Sequence, residues 1–269
     1  CITNSLKQIF TYYGYPMSEE MMFGLASGLS FLYMNFSTAP MVNGRIKVFE
    51  FEKKLAERLN ITIKCRSGKN YARISDAAKR MIDADDPVLI YVDMPYLSYL
   101  GMDRDSHFGG HAVVLYGYDD LKKKYRISDR DNHDNPIRRS SSHRPFPANN
   151  KYLTFDFNGY MNVGKDVLQE AITETCRGML TPPARLLGMS GIMKFSREIL
   201  RWEKFSPDKL KKTGMVNYFQ INEAGGTGGG LFRRMYGGFL LEASDILQND
   251  KVAHAGRQFI RVSEQWDDL

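Results

Sequence analysis

The chain is short of what several architectures require. Its 269 residues include only three cysteines, Cys1, Cys65 and Cys176. So low and odd a count argues against a disulfide framework and for a reducing compartment, here read as cytoplasmic. No apolar run approaches the ~20 residues of a membrane-spanning helix. No basic-then-apolar leader is seen, so no membrane partner is expected. Cys-x-x-Cys and His-Glu-x-x-His spacings are missing, and no metal site is expected. Zinc-finger, basic-zipper and RNA-binding aromatic signatures are also missing, so the net charge of +6 is not read as nucleic-acid binding. The glycine-rich stretch at 225–230 lacks the Gly-Lys-Ser/Thr ending of a phosphate loop, and reads as a joint or a close backbone approach.

What is present is a folded chain, 43% hydrophobic and 12% aromatic. Apolar residues at Ile2, Leu6, Ile9, Phe10 and Tyr13 repeat with helical period, and Gly14 ends that helix, which therefore starts at Cys1. A short helix follows Ser18-Glu19-Glu20. A strand is read at 31–36, a helix at 50–59, a strand at 61–64, a helix at 74–82 and a buried strand at 87–92. Residues 112–118 and 125–129 form a hairpin across a polar turn. Residues 130–151, rich in Ser, Arg, Asn and Pro, read as one long surface loop. A strand at 152–157 and a helix from Lys165 to about Cys176 complete a first domain, 1–180. Beyond Thr181-Pro182-Pro183 the pattern turns helical (192–202, 207–212, 231–247), giving a second domain, 181–269.

Cys1 and His111 carry the chemistry. A cysteine at a helix N-terminus feels the positive end of the helix dipole, which favours the thiolate. His111 follows two glycines and opens an apolar strand. A histidine facing the thiol would take its proton and return it to a leaving group. The 112–129 hairpin brings Asp129 back beside His111 to orient the ring, with Asp131 as the nearby substitute. Cys65 and Cys176 read as core or surface thiols, and His107, His133, His143 and His254 as polar-surface residues. A chain opening on Cys also suggests an N-terminal nucleophile with the free amine as base, but that arrangement needs a strand where this sequence has helical period.

With these residues in place, the chain resembles a papain-like cysteine protease fold of class α+β, and more closely the butirosin biosynthesis protein H family. The resemblance is carried by the Cys1 helix, Gly-His-Ala-Val-Val-Leu-Tyr-Gly-Tyr-Asp at 110–119 and Asp129. It extends over 18–28, over Arg144-Pro145-Phe146-Pro147, and over 228–236, the last resembling that family's C-terminal helical domain. It implies an acyltransferase or amide synthase in natural-product biosynthesis, of the kind found in nonribosomal peptide-type pathways, including that of closthioamide. Cys1 would carry the acyl group, with His111 as acid/base and Asp129 as orienter. The partners implied are an acyl or peptidyl carrier protein and a small-molecule amine acceptor. No cofactor is expected beyond the carrier's phosphopantetheine arm. Papain-like enzymes usually place an oxyanion-hole side chain a few residues before the cysteine. Here the groups considered are the backbone N–H of Cys1 and the side chain of Asn4. Arg233 with Arg234, and Lys211 with Lys212, are the expected docking pairs for an acidic carrier. Tyr12, Tyr13, Phe31, Tyr33 and Phe36, with the helical C-terminal region, are the expected cover against water. A cysteine peptidase or amidase with the same triad, and a non-catalytic binding module, remain the alternatives.

Overall fold

The structure is a computed structural model. It describes residues 1–101, 110–130, 136–142, 151–159, 161, 163–222 and 229–269, with only the backbone given at 96, 98, 110 and 136–142. Expectations placed on His107, Asp131, His133, His143, 144–147 and 225–228 fall outside these residues.

In chain order the elements are α1 (Ile2–Tyr12), α2 (Glu19–Leu25), β1 (Leu29–Met34), β2 (Met41–Arg45), α3 (Glu50–Leu59), β3 (Ile61–Arg66), α4 (Tyr71–Asp83), β4 (Val88–Asp93), β5 (Gly110–Asp119), β6 (Lys124–Arg130), β7 (Pro136–Ser142), β8 (Tyr152–Phe157), α5 (Lys165–Leu180), α6 (Gly188–Glu198), α7 (Pro207–Ile221), α8 (Gly229–Leu247) and α9 (Asp250–Asp267). Helices combine with sheets whose neighbouring strands are all antiparallel, so the class is α+β as expected.

The chain divides into two compact units, 1–19 with 60–161 and 20–59 with 162–269. The boundary expected at 180/181 falls inside the second unit. Residues 20–59 belong with the later helices because their polar and apolar groups are satisfied there. Arg58, for example, donates to the Leu25 carbonyl, to Ser27 Oγ at 2.9 Å and to the Glu174 carboxylate. Local sequence pattern carries no record of such a return.

The first unit is built on a six-stranded sheet in the order β3-β8-β4-β5-β6-β7. Alternation sends Val88, Ile90 and Val92 of β4, Val113 and Leu115 of β5 and Ile127 of β6 to one face, where they pack with Ile74 and Ala78 of α4. On the other face α1 flanks a cavity whose floor is Val114, Tyr116 and Ser128. Strand β7 corrects the reading of 130–151 as loop. It pairs with β6 along its whole length, from Arg130↔Pro136 to Lys124↔Ser142. An edge strand held by its neighbour's backbone needs no apolar alternation, and Pro-Ile-Arg-Arg-Ser-Ser-Ser shows none.

The second unit packs Phe31 and Tyr33 of β1 and Val42 of β2 against Phe195, Trp202 and Ile221. Phe31 and Tyr33 are therefore core residues, 1% and 0% exposed, rather than a cover for a site. Helices α8 and α9 cross where glycines meet: a Cβ on either Gly237 or Gly256 would lie 2.8 Å from the other's carbonyl oxygen. Arg233 also departs from its expected role. It is 3% exposed, donates to the Gly229 carbonyl at 2.8 Å and lies 3.8 Å over the Trp266 ring. Burial lowers its pKa to about 10. A side chain so enclosed cannot greet a docking partner.

Candidate active site

The first turn of α1 is buried on every side, and that sets the position of Cys1. Cys1 is the N-cap, and its carbonyl accepts the first helical bond from Ser5 N–H at 2.9 Å. Ile2 and Leu6 enter the core as their period demands. The polar residues between them are buried too, and each has a partner. Thr3 Oγ1 donates to Glu19 Oε2 at 2.5 Å, Ser5 Oγ to the Ala112 carbonyl at 3.0 Å, and Gln8 Nε2 to Asn4 Oδ1 at 2.8 Å. Ala112 follows His111 on β5, so the turn that begins at Cys1 rests on the His111 end of that strand. The Cys1 thiol is half-buried, caps no backbone N–H and lies at the positive end of the helix dipole.

Register places His111 and Asp129 on one side of the sheet. Val114 faces Ser128 across β5 and β6, so Val113 faces Asp129 and His111 is its diagonal neighbour on the same side of the sheet. The contact is closed: His111 Nε2 lies 2.8 Å from Asp129 Oδ1 and 2.9 Å from Oδ2. With Nε2 turned to the carboxylate, Nδ1 is the ring nitrogen left to exchange a proton with a nucleophile. Asp129 is itself held, accepting from Tyr99 O–H at 2.7 Å and from the Arg130 backbone N–H at 2.7 Å. Burial alone would raise the Asp129 pKa. The His111 bond and charge, with the Tyr99 and Arg130 donors, outweigh that and leave it below the ordinary carboxylate value.

Of the three residues read from sequence, His111 and Asp129 form a joined pair, and Cys1 starts a helix whose first turn is tied to β5 through Ser5 and the Ala112 carbonyl. Asn4 is buried with its oxygen accepting from Gln8, and it lines the cavity flanking α1. That cavity holds about 780 Å³ and runs past Gln8 and Tyr12 toward Asp85 and Asp86. Cys65 and Cys176 are exposed, and no disulfide joins the three cysteines. Among the described residues no group of three or more His, Cys, Asp or Glu is placed to hold a metal ion, and no helix is long and apolar enough to cross a membrane.

Sequence reasoning missed Tyr99, Glu19 and Arg130. Tyr99 sits in a short 3₁₀ turn (Ser98–Leu100) with no periodic signal. Glu19 read only as a helix-starting residue. Arg130 adjoins Asp129, which is the one local hint that its side chain shares the site.

Two family models match the chain. Residues 1–130 match "Butirosin biosynthesis protein H, N-terminal", and residues 138–269 match "Domain of unknown function (DUF4872)". No curated protein matches it. Among solved structures, a putative C39-like peptidase from Bacillus anthracis is similar at 16% identity and TM-score 0.38, over 60% of this chain and 90% of that one. That likeness is too slight to bear on activity.

Proposed function

Because the chain belongs to the butirosin biosynthesis protein H family, we propose that it is a cysteine-dependent acyltransferase that forms an amide from a carrier-bound thioester. The observation that supports this most is the His111–Asp129 pair, whose histidine sits on the strand to which the helix beginning at Cys1 is tied.

The chemistry follows from these groups. His111 Nδ1 holds the Cys1 proton, leaving a thiolate and an imidazolium that Asp129 stabilises. The thiolate attacks the thioester carbonyl of an acyl group on a carrier's phosphopantetheine arm. The new C–S bond forms as the carrier's C–S bond breaks, and the imidazolium proton goes to the departing thiol. An amine then attacks the acyl-Cys1 carbonyl, its proton passes to His111, and Cys1 leaves as thiolate. The first transfer is nearly isoenergetic, whereas aminolysis runs downhill. Water competes with the amine, so the yield of amide depends on how dry the acyl-enzyme is kept.

The carrier is an acidic protein on this reading, and the charge distribution favours it. Residues 185–212 hold eight Lys or Arg against three Asp or Glu, a net +5 within a chain of +6. Leu200, at 74%, is exposed in the same stretch, and Met215, at 63%, three residues beyond it. Lys211 and Lys212 are exposed on α7 and remain the docking pair, without Arg233.

Intact-mass measurement after mixing the protein with an acyl-carrier thioester tests the proposal. The expected result is an acyl adduct lost in Cys1→Ala and discharged by added amine. Discharge by water alone at the same rate would make the protein a hydrolase. An adduct persisting in Cys1→Ala would remove Cys1 as nucleophile.

A further inference from the structure

Glu19 is a carboxylate 5% exposed, at a place where nothing in the reaction calls for one. A charge so buried is costly unless it is paired and hydrogen-bonded, and both of its oxygens are engaged. Oε2 accepts from Thr3 Oγ1 at 2.5 Å, two residues after Cys1. Oε1 accepts from Arg130 Nη2 at 2.8 Å. Arg130 in turn donates its backbone N–H to Asp129 Oδ1 at 2.7 Å, and Asp129 holds His111. Hydrogen bonds and one intervening residue thus connect the first turn of α1 to the imidazole.

We propose that Glu19 is a positioning residue for the Cys1 nucleophile: its carboxylate clamps the helix turn that begins at Cys1 to the strand that carries Asp129. The proposal rests on Cys1 being the nucleophile, as argued above. The turn has a second anchor, Ser5 Oγ on the Ala112 carbonyl at 3.0 Å. Thr3 and Ser5 are two residues apart, about 200° around a helix. The two ties therefore grip nearly opposite sides of the turn, one to β6 and one to β5, and prevent it from rolling. A roll would swing the sulfur away from the ring, and a displacement of about 1 Å at a reacting centre can cost about 10²-fold. Arg130 also balances the Glu19 charge, so the clamp does not set an unpaired anion beside a thiolate. The charged groups along the path are Glu19, Arg130, Asp129 and, when protonated, His111.

The test compares Glu19→Gln, which keeps the shape, and Thr3→Val with Thr3→Ser, which keeps the hydroxyl. Two readouts apply: alkylation of Cys1 by iodoacetamide against pH, followed on the Cys1 peptide so that Cys65 and Cys176 do not contribute, and turnover of a small thioester. In Glu19→Gln and Thr3→Val, turnover should fall about 10- to 100-fold at unchanged KM. Their alkylation profile should move toward that of an ordinary thiol, near about pH 8.5, while Thr3→Ser behaves as wild type. A clamp with no bearing on the nucleophile would lower melting temperature and leave both readouts in place; wild-type profiles and turnover within threefold in both variants overturn the proposal. Wild-type Cys1 that already labels like an ordinary thiol would defeat the nucleophile reading itself, and the clamp with it. A perturbed wild type matched by both variants would defeat the clamp alone.

Discussion

Asp129 is 2% exposed and receives His111 Nε2, Tyr99 O–H and the Arg130 N–H. A depressed carboxyl of this kind stabilises the fold fully above its unfolded pKa of about 3.9, and that contribution fades as pH falls through the lower folded value. Lowering pH from about 5 to about 3 should therefore reduce the urea midpoint of the wild type more than that of Asp129→Asn, as read by denaturant titration. Equal loss in both would mean that other carboxylates govern acid unfolding. Removing the imidazole in His111→Ala should lower acyl transfer about 10²- to 10⁴-fold, the usual worth of positioned proton transfer, in a stopped-time assay of amide product. Tyr99→Phe removes one donor from a buried anion and should cost about 1.5–3 kcal/mol in the same titration.

Elements with strong period or clear hairpin geometry were legible before the structure. The helix behind Cys1, the β5–β6 hairpin and Asp129's return to His111 all follow from local pattern, and the α3 and β8 bounds agree residue for residue. What escaped was held by neighbours rather than by its own pattern. β7 borrows its ladder from β6, and β2, with Met-Val-Asn-Gly-Arg, is half-buried through pairing with β1. α9 is an exception, passed over although Val252, Phe259, Ile260 and Trp266 repeat at helical spacing along it, and α7 runs nine residues past Lys212. The site divided the same way. His111 and Asp129 could be joined by counting along one hairpin, whereas Glu19 reaches Arg130 across 111 residues of sequence. The α8–α9 crossing offers a test at this scale. Gly256→Val would put its Cβ 2.8 Å from the Gly237 carbonyl oxygen and 3.1 Å from Leu241 Cγ. It should destabilise the protein by about 1–3 kcal/mol in chemical denaturation. A neutral result would mean that the two helices can slide apart at no cost.

Across the whole molecule each unit carries a net charge of +3, but one basic segment lies in a different unit from the proposed catalytic residues. Cys1, His111 and Asp129 belong to the first, and the basic 185–212 segment belongs to the second. Long-range attraction acts on encounter and is screened by salt, with a Debye length of about 10 Å at 0.1 M. Charge reversal at Lys211 and Lys212 should therefore slow acyl transfer from a carrier protein severalfold at low salt. It should leave a small thioester unaffected, and the difference should vanish near about 1 M salt. Equal loss on both substrates would show that the segment supports the fold rather than the encounter.

The stacking of Arg233 on Trp266 has an optical consequence. Both tryptophans, Trp202 and Trp266, lie in the second unit. Indole emission therefore watches the helical unit and its guanidinium-covered ring, while the unit bearing Cys1 is dark in that channel. Denaturation followed by tryptophan fluorescence measures one half of this protein, and the half that carries Cys1 must be followed through its tyrosines or through labelling of Cys1.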